Sequence, residues 1–328
     1  MVNTKLIMVE GIPGSGKSTT AQFISQVLNS RGYHHKWWYE EEKGHPVYIY
    51  DDYNSMQQVV DELTSGNYRD IMKKALIKWK EFVSSIQSSS EIIIVDSCLL
   101  GYLTWSLFPF DVPEQDILRY VMDVEQIITP LNPQLIYFYQ EDVGAALKKI
   151  CVRRGGNTEE NFIRASTQSI YGQRLGLNGF EGMVSYWEEY RRITDEIFRN
   201  LHCSRISIEN SEGNWSLYGE KVLDFLDIQQ EHDGKKGEQN YKHLVGTYIA
   251  HQEGLSDCSI QIESEYLIID GLPQVWTRSK LNPISYNLFH VQSLPIEVRF
   301  IEDKDLTMRV TGPTLLDGNV DYSFTKYR

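Results

Sequence analysis

The chain has little cysteine, and its cysteines form no recognisable pair. Four occur among 328 residues, without any C-x-x-C spacing: Cys98, Cys151, Cys203 and Cys258. This scatter argues against a zinc ribbon and against a disulfide framework, and it suits a reducing compartment. We therefore expect a cytoplasmic protein.

The sequence also lacks a long apolar run and an excess of basic residues. No run is long and apolar enough to cross a bilayer, and because the N-terminus passes directly into a strand pattern, we expect no signal peptide. Lys and Arg number 32 against 45 Asp and Glu, which gives a formal net charge of -13. Because sequence-independent nucleic-acid binding needs a basic surface, we expect neither a membrane nor a nucleic acid as a partner.

The chain has an ordinary globular composition, and its length of 328 residues favours two domains. In the first two thirds, apolar strand patterns alternate with helical ones. The predicted strands cover residues 6–9, 35–39, 92–95, 135–139 and 205–208. Strands separated by helices indicate an α/β domain, residues 1–228, with a parallel sheet between layers of helices. Ligands of such sheets bind at the carboxyl ends of the strands.

The pattern changes after residue 228. Residues 229–243 are polar and indicate a linker. In residues 244–328 the apolar period becomes two, as where Leu306, Met308 and Val310 alternate with polar residues. This predicts a small antiparallel β domain, a curled sheet or half-barrel. Its role is left open between a homodimer contact, a lid and a structural appendage.

The most specific motif is GIPGSGKS at residues 11–18, which fits the phosphate-loop (Walker A) pattern at every fixed position. An apolar strand precedes it and a helical pattern follows it. Glycines let backbone N–H groups curl around an anion, and the helix start adds its positive dipole end. We expect a nucleotide to bind through Gly11, Pro13, Gly14, Ser15, Gly16, Lys17, Ser18 and Thr19. The alternative is a glycine-rich turn without a ligand.

Within this motif, Lys17 is expected to reach the β- and γ-phosphates, and the Ser18 hydroxyl to bind Mg²⁺. A second candidate metal ligand is Asp96, which closes an apolar strand as a Walker-B acid does. The next residue is Ser97 rather than the water-activating Glu of many ATP-driven machines. The alternative role of Asp96 is to cap the next helix.

Two charged stretches are candidates for the chemistry of transfer. Glu40, Glu41 and Glu42 follow the second strand, where one of them, with Glu41 preferred, would orient an acceptor hydroxyl and take its proton. Arg153 and Arg154 precede two glycines and predict the start of a lid, residues 153–182, that closes over the transferred group. The alternatives are a solvated acidic run and an ordinary basic helix end.

Taken together, residues 5–228 resemble the P-loop kinases of the nucleoside, deoxynucleoside and thymidylate kinase group. The resemblance is carried by the phosphate loop, the acids after the second strand, Asp96 and the Arg153–Arg154 segment. It implies a five-stranded parallel sheet in the order 2-3-1-4-5, with ATP and Mg²⁺ as cofactors. Where many members have Asp-Arg or Glu-Arg after the third strand, this chain has Asp96-Ser97, so it would be a divergent member.

The sequence therefore favours a kinase, a transferase that moves a phosphoryl group from ATP to a small-molecule acceptor. In this interpretation Lys17, Glu41, Arg153 and Arg154 are catalytic. The acceptor is a nucleoside, a nucleotide or another hydroxyl-bearing metabolite. Two alternatives are a regulatory nucleotide-dependent ATPase or switch and a nucleotide-binding protein without turnover. No N-K-x-D motif is present, which disfavours a GTPase.

Overall fold

The computed structural model describes residues 3–229 and 241–327. The chain forms two compact units, one of Met1–Glu40 with Gly44–Gln230 and the other of Glu41–Lys43 with Glu231–Arg328. Most of the predicted linker, residues 229–243, lies outside the described residues. In the described part of the chain, no helix combines the length and the apolarity that a membrane span requires.

The first unit is built on a five-stranded parallel sheet in the order β2-β3-β1-β4-β5, which confirms the order that the resemblance implied. The strands are β1 (Leu6–Gly11), β2 (His35–Trp38), β3 (Ile92–Asp96), β4 (Gln134–Tyr139) and β5 (Ser204–Glu209). β1 and β3 are buried along their whole length, which explains their nearly unbroken apolar sequences. Their register pairs Val9 with Asp96, so the strand ends meet at one edge.

Helices connect these strands. They are α1 (Lys17–Ser30), α2 (Tyr53–Thr64), α3 (Tyr68–Ile86), α4 (Glu114–Ile128), α5 (Val143–Arg154), α6 (Thr158–Thr167), α7 (Ile170–Arg174), α8 (Gly179–Asn200) and α9 (Trp215–Phe225). Local sequence sets several of their ends. Asp142 caps α5 by accepting a hydrogen bond from the Ala145 N–H at 2.8 Å. Gly155, with a positive φ of 64°, ends the same helix in a conformation that favours glycine.

The second unit is a closed antiparallel barrel, where a curled sheet or half-barrel was expected. Its strands are β6 (Gly246–Ala250), β7 (Cys258–Glu263), β8 (Tyr266–Asp270), β9 (Ser279–Ser285), β10 (Leu288–Val291), β11 (Glu297–Glu302), β12 (Leu306–Thr311) and β13 (Asp321–Lys326). Each strand pairs with the next, and β13 pairs with β6 to close the ring. Large side chains such as Phe289, Phe300 and Phe324 are buried and form its core.

Candidate functional site

The predicted phosphate loop is the turn from the end of β1 to the start of α1. Gly14 and Gly16 have φ of 79° and 89°, in the left-handed region that favours glycine. Gly16 occupies the N-cap position of α1, and no side chain caps the helix there. The N-terminal end of α1, which carries the positive end of the helix dipole, therefore suits an anion.

Two side chains cover the outside of this loop. A β-carbon on Gly14 would lie 2.8 Å from Cγ1 of Ile150, and one on Gly16 would lie 2.1 Å from Cη2 of Trp215. Both distances are too short for a real contact, so these positions accept only glycine. Ile150 and Trp215 thus form the outer wall of the loop.

Lys17 is the first residue of α1, and its side chain reaches back to the loop. Its side chain is buried, and Nζ donates a hydrogen bond to the Ile12 carbonyl at 3.2 Å. The Ser15 hydroxyl, also buried, has no hydrogen-bond partner in the structure. An ammonium group beside a glycine-rich turn at a helix start is an arrangement that suits a polyphosphate.

Asp96 ends β3 beside the loop and is fully buried. The Trp37 indole N–H donates to its Oδ1 at 3.0 Å, while Oδ2 has no partner. Burial is the main cause that raises the pKa of Asp96, and the charge of Glu40 raises it further, whereas the nearby Ser18 hydroxyl lowers it. The structure therefore brings together the two predicted metal ligands, Ser18 and Asp96.

The three acids after β2 do not share one environment. Glu40 is half-buried and close enough to Asp96 to raise its pKa. Glu41 is exposed and belongs to the second unit, where its carbonyl accepts a hydrogen bond from the Leu316 N–H at 2.9 Å. Glu42 is buried and forms a β-bridge with Leu315 in the same unit. Of the three, Glu40 is the one whose charge acts on Asp96.

Sequence reasoning missed Glu10, the residue before the loop. It is fully buried and accepts hydrogen bonds from the backbone N–H groups of Leu99 at 2.7 Å and Gly101 at 2.9 Å. Burial raises its pKa from 4.5 to about 7, against these bonds and the Lys17 charge, which lower it. The available signal was a carboxylate in an otherwise apolar strand.

A buried histidine, His45, lies beside Cys98 just beyond the end of β3. The Nε2 atom of His45 lies 3.3 Å from Sγ of Cys98, and its ring stacks on Tyr48 at 4.2 Å. Burial, assisted by the charge of Lys36, lowers the pKa of His45 to about 3, so the ring is neutral. Among the described residues, no group of three or more His, Cys, Asp or Glu could hold a metal ion. Any ion held by Ser18 and Asp96 would need phosphate or water as further ligands.

A cavity of about 220 Å³ opens beside the loop. Ile150 and Trp215, which cover the loop glycines, also line this cavity, together with Arg153. On another side, Asn210 donates from Nδ2 to the Ser15 carbonyl and accepts from Nε2 of Gln140. The cavity and the phosphate loop therefore share walls and hydrogen bonds, so a ligand can extend from one into the other.

The predicted lid segment, residues 153–182, contains α6 and α7. Arg174 donates two hydrogen bonds to the Asp111 carboxylate, one of them at 2.9 Å, and the Tyr171 ring lies 4.6 Å from that of Phe108. Arg153 lines the cavity, while the Arg154 guanidinium lies 5.9 Å from the Phe162 ring of α6. The two predicted arginines therefore have different surroundings, since Arg153 faces the cavity and Arg154 faces helix α6.

The sheet order and the glycine-rich turn from β1 to α1 together give the first unit a P-loop NTPase fold, and an antiparallel barrel follows it in the chain. No family model matches the chain, and no curated protein matches its sequence. Many solved structures are similar to it, among them the following two. A YorR protein from Bacillus subtilis, in complex with phosphorylated GDP, is 14% identical with a TM-score of 0.36, covering 68% of this chain and 95% of that one. The thymidylate kinase of Ehrlichia chaffeensis is 12% identical with a TM-score of 0.38, covering 69% and 99%.

Proposed function

We propose that the protein transfers a phosphoryl group from ATP to a small-molecule acceptor and depends on Mg²⁺. The observation that carries this proposal is the meeting of three features at the ends of β1 and β3. They are the uncapped start of α1, the Lys17 ammonium over the loop and the buried Asp96 beside Ser18. The arrangement serves a triphosphate with a metal ion, as phosphoryl transfer requires.

The donor would lie across the loop and the adjoining cavity. Loop amides and Lys17 would hold the β- and γ-phosphates. The base would occupy the cavity, where the half-exposed Trp215 ring offers a stacking face and Arg153 a planar cation. The shared walls of loop and cavity support this single continuous placement.

The residues present fit a magnesium ion. Mg²⁺ prefers oxygen ligands and commonly keeps several waters beside one or two carboxylates and the substrate phosphates. Asp96 supplies a carboxylate oxygen without a protein partner, and Ser18 supplies a hydroxyl. When bound, the ion would neutralise phosphate charge that develops during transfer.

The acceptor side is formed by Glu40. Its position near Asp96 supports for Glu40 the role that was predicted preferentially for Glu41, namely to orient the acceptor hydroxyl and take its proton. Glu41, which is exposed in the second unit, is the weaker candidate. Arg153 or Arg154 would stabilise the transferred group as the lid segment closes.

One experiment separates this proposal from its alternatives. The protein is incubated with ATP, Mg²⁺ and single acceptors from a panel of nucleosides, nucleotides, sugars and aminoglycosides, and ADP is measured. ADP that depends on an acceptor supports a kinase. ADP without an acceptor would indicate an ATPase, and ATP binding without ADP would indicate a protein without turnover.

The matched variants are Lys17→Ala and Lys148→Ala. Lys17→Ala removes the loop ammonium, so ADP formation should be lost while the fold is retained. Lys148 is an exposed residue of α5, so Lys148→Ala should keep the activity. Full activity of Lys17→Ala would refute the assignment of the loop.

A further inference from the structure

The chain turns sharply directly after Asp96, and we call residues 97–101 the Asp96 turn. Ser97 has φ 61°, which is a strained, left-handed conformation for a residue other than glycine. Gly101 closes the turn tightly, because a β-carbon there would lie 2.5 Å from Cβ of Ser97. Such a conformation persists only where surrounding groups hold it in place.

Two buried side chains hold this turn from different elements. From β1, the Glu10 carboxylate accepts the N–H groups of Leu99 at 2.7 Å and Gly101 at 2.9 Å. From α8, the Tyr190 hydroxyl donates to the Leu100 carbonyl at 2.7 Å. Glu10 and Tyr190 are 0% and 1% exposed, so no water replaces these bonds without local opening. Three consecutive residues are thus fixed through their backbone.

The held turn begins one residue after the predicted metal ligand. On its other side, Asp96 is fixed by the β1–β3 ladder, in which it pairs with Val9, and the Ser97 N–H donates to the Val9 carbonyl at 3.1 Å. If the turn relaxed, Ser97 would return to an ordinary φ, and the peptide group that joins Asp96 to Ser97 would rotate with it. The direction of the Asp96 carboxylate therefore depends on the turn.

We propose that Glu10 and Tyr190 are positioning residues, which hold the Asp96 turn so that Asp96 faces the phosphate loop and strengthens the magnesium-dependent binding of nucleotide. This inference rests on the proposed function, since it takes Asp96 as a metal ligand. It adds two residues that touch neither nucleotide nor metal.

The test measures the dissociation constant of ATP twice for each variant by calorimetry, with Mg²⁺ and with EDTA. The ratio of the two constants is the magnesium factor. Asp96→Asn should abolish this factor. Glu10→Gln and Tyr190→Phe should each lower it at least about threefold, as expected for a lost buried hydrogen bond, while the constant in EDTA stays within about twofold of the wild type.

The chain offers a matched control for each substitution. Glu125 is another buried carboxylate that accepts backbone N–H groups, among them that of Cys203 at 2.8 Å, so Glu125→Gln removes a comparable structural contact. Tyr186 lies one turn before Tyr190 on α8, and its ring lies 4.7 Å from that of Phe108. The control for Tyr190→Phe is therefore Tyr186→Phe. Both control variants should keep the magnesium factor of the wild type, even where their melting temperatures fall.

The outcomes separate this inference from the proposed function. If the wild type binds no ATP, or has a magnesium factor of one, the proposed function fails and this inference with it. If the wild type and Asp96→Asn behave as expected but Glu10→Gln and Tyr190→Phe keep the wild-type factor, the positioning role alone is overturned. The same holds if the control variants lower the factor equally. Tyr190→Phe keeps the test decisive if Glu10→Gln does not fold.

Discussion

The indole of Trp215 occupies the space that a side chain on Gly16 would need. A β-carbon at residue 16 would lie 2.1 Å from Cη2 of Trp215, and the ring itself is 43% exposed on its other side. One aromatic side chain thus supports the phosphate loop and lines the neighbouring cavity. Changes at either residue should therefore affect nucleotide binding.

Gly16→Ala should destabilise the protein more than Gly32→Ala. Both glycines have positive φ, 89° and 71°, but a β-carbon at Gly32 would have no atom within 4 Å. Gly32→Ala should then cost about 1 kcal/mol of strain alone, whereas Gly16→Ala adds a clash and should cost about 2–4 kcal/mol. Thermal denaturation measures both. Equal losses would show that the ring of Trp215 moves away freely.

Trp215→Ala should weaken the binding of ATP much more than that of inorganic triphosphate. Stacking of a base on an aromatic ring contributes about 1–3 kcal/mol, so the dissociation constant of ATP should rise roughly 5- to 100-fold. The control is Trp276→Ala, because Trp276 is 42% exposed and lies in the barrel. Equal weakening of ATP and triphosphate would place the base elsewhere and leave Trp215 only a support of the loop.

The stability contributed by Glu10 should fall as the pH rises. Burial raises its pKa from 4.5 to about 7, so the folded protein binds this proton more tightly than the unfolded chain does. Between pH 4.5 and about pH 8, the free energy of unfolding of the wild type should therefore drop relative to that of Glu10→Gln, by at most roughly 3 kcal/mol. Urea denaturation across this range checks it. A difference that does not change with pH would contradict the raised pKa.

Glu40→Gln should lower kcat more than Glu41→Gln does, once an acceptor has been found. Glu40 acts electrostatically on Asp96, and Glu41 is exposed in the second unit. Loss of a general base commonly costs about 10²–10⁴ in rate, while Glu41→Gln should stay within about twofold. Steady-state kinetics on both variants decides the assignment. A large loss in Glu41→Gln alone would restore the prediction made from the sequence.

A fragment of residues 241–328 should unfold cooperatively by itself. Its eight strands close a barrel around buried phenylalanines, so its apolar core is internal to the fragment. Phe300→Ala should lower its free energy of unfolding by about 3–5 kcal/mol. Circular dichroism during heating would show both effects. Non-cooperative melting of the unchanged fragment would contradict the proposed domain boundary.

The parts of the fold that were predicted correctly depend on consecutive residues. The apolar run before Gly11 and the motif that ends at Ser18 lie within one strand, one turn and one helix start, where local pattern determines structure. The alternation of strands and helices likewise indicated the parallel sheet. Closure of the barrel was not predictable in the same way, because it depends on β13 pairing with β6 across the whole domain.

The parts of the candidate site that were missed depend on residues far apart in sequence. Glu10 meets Leu99, and Asn210 meets Ser15, only after the sheet has formed. For the acids after β2, the sequence pattern predicted the segment but not which of its residues lies near Asp96. A strand fixes alternate directions of its side chains, whereas the turn that follows it does not, so the choice between Glu40 and Glu41 needed the structure.

Closure also limits how the barrel can recognise another molecule. Proteins that bind an extended peptide often add it as a new strand to an open sheet edge, where the N–H and C=O groups are unpaired. In the barrel of β6 to β13, every strand already has a neighbour on both sides. A partner of this domain would therefore be selected by side chains on the outer surface and in the loops at either end.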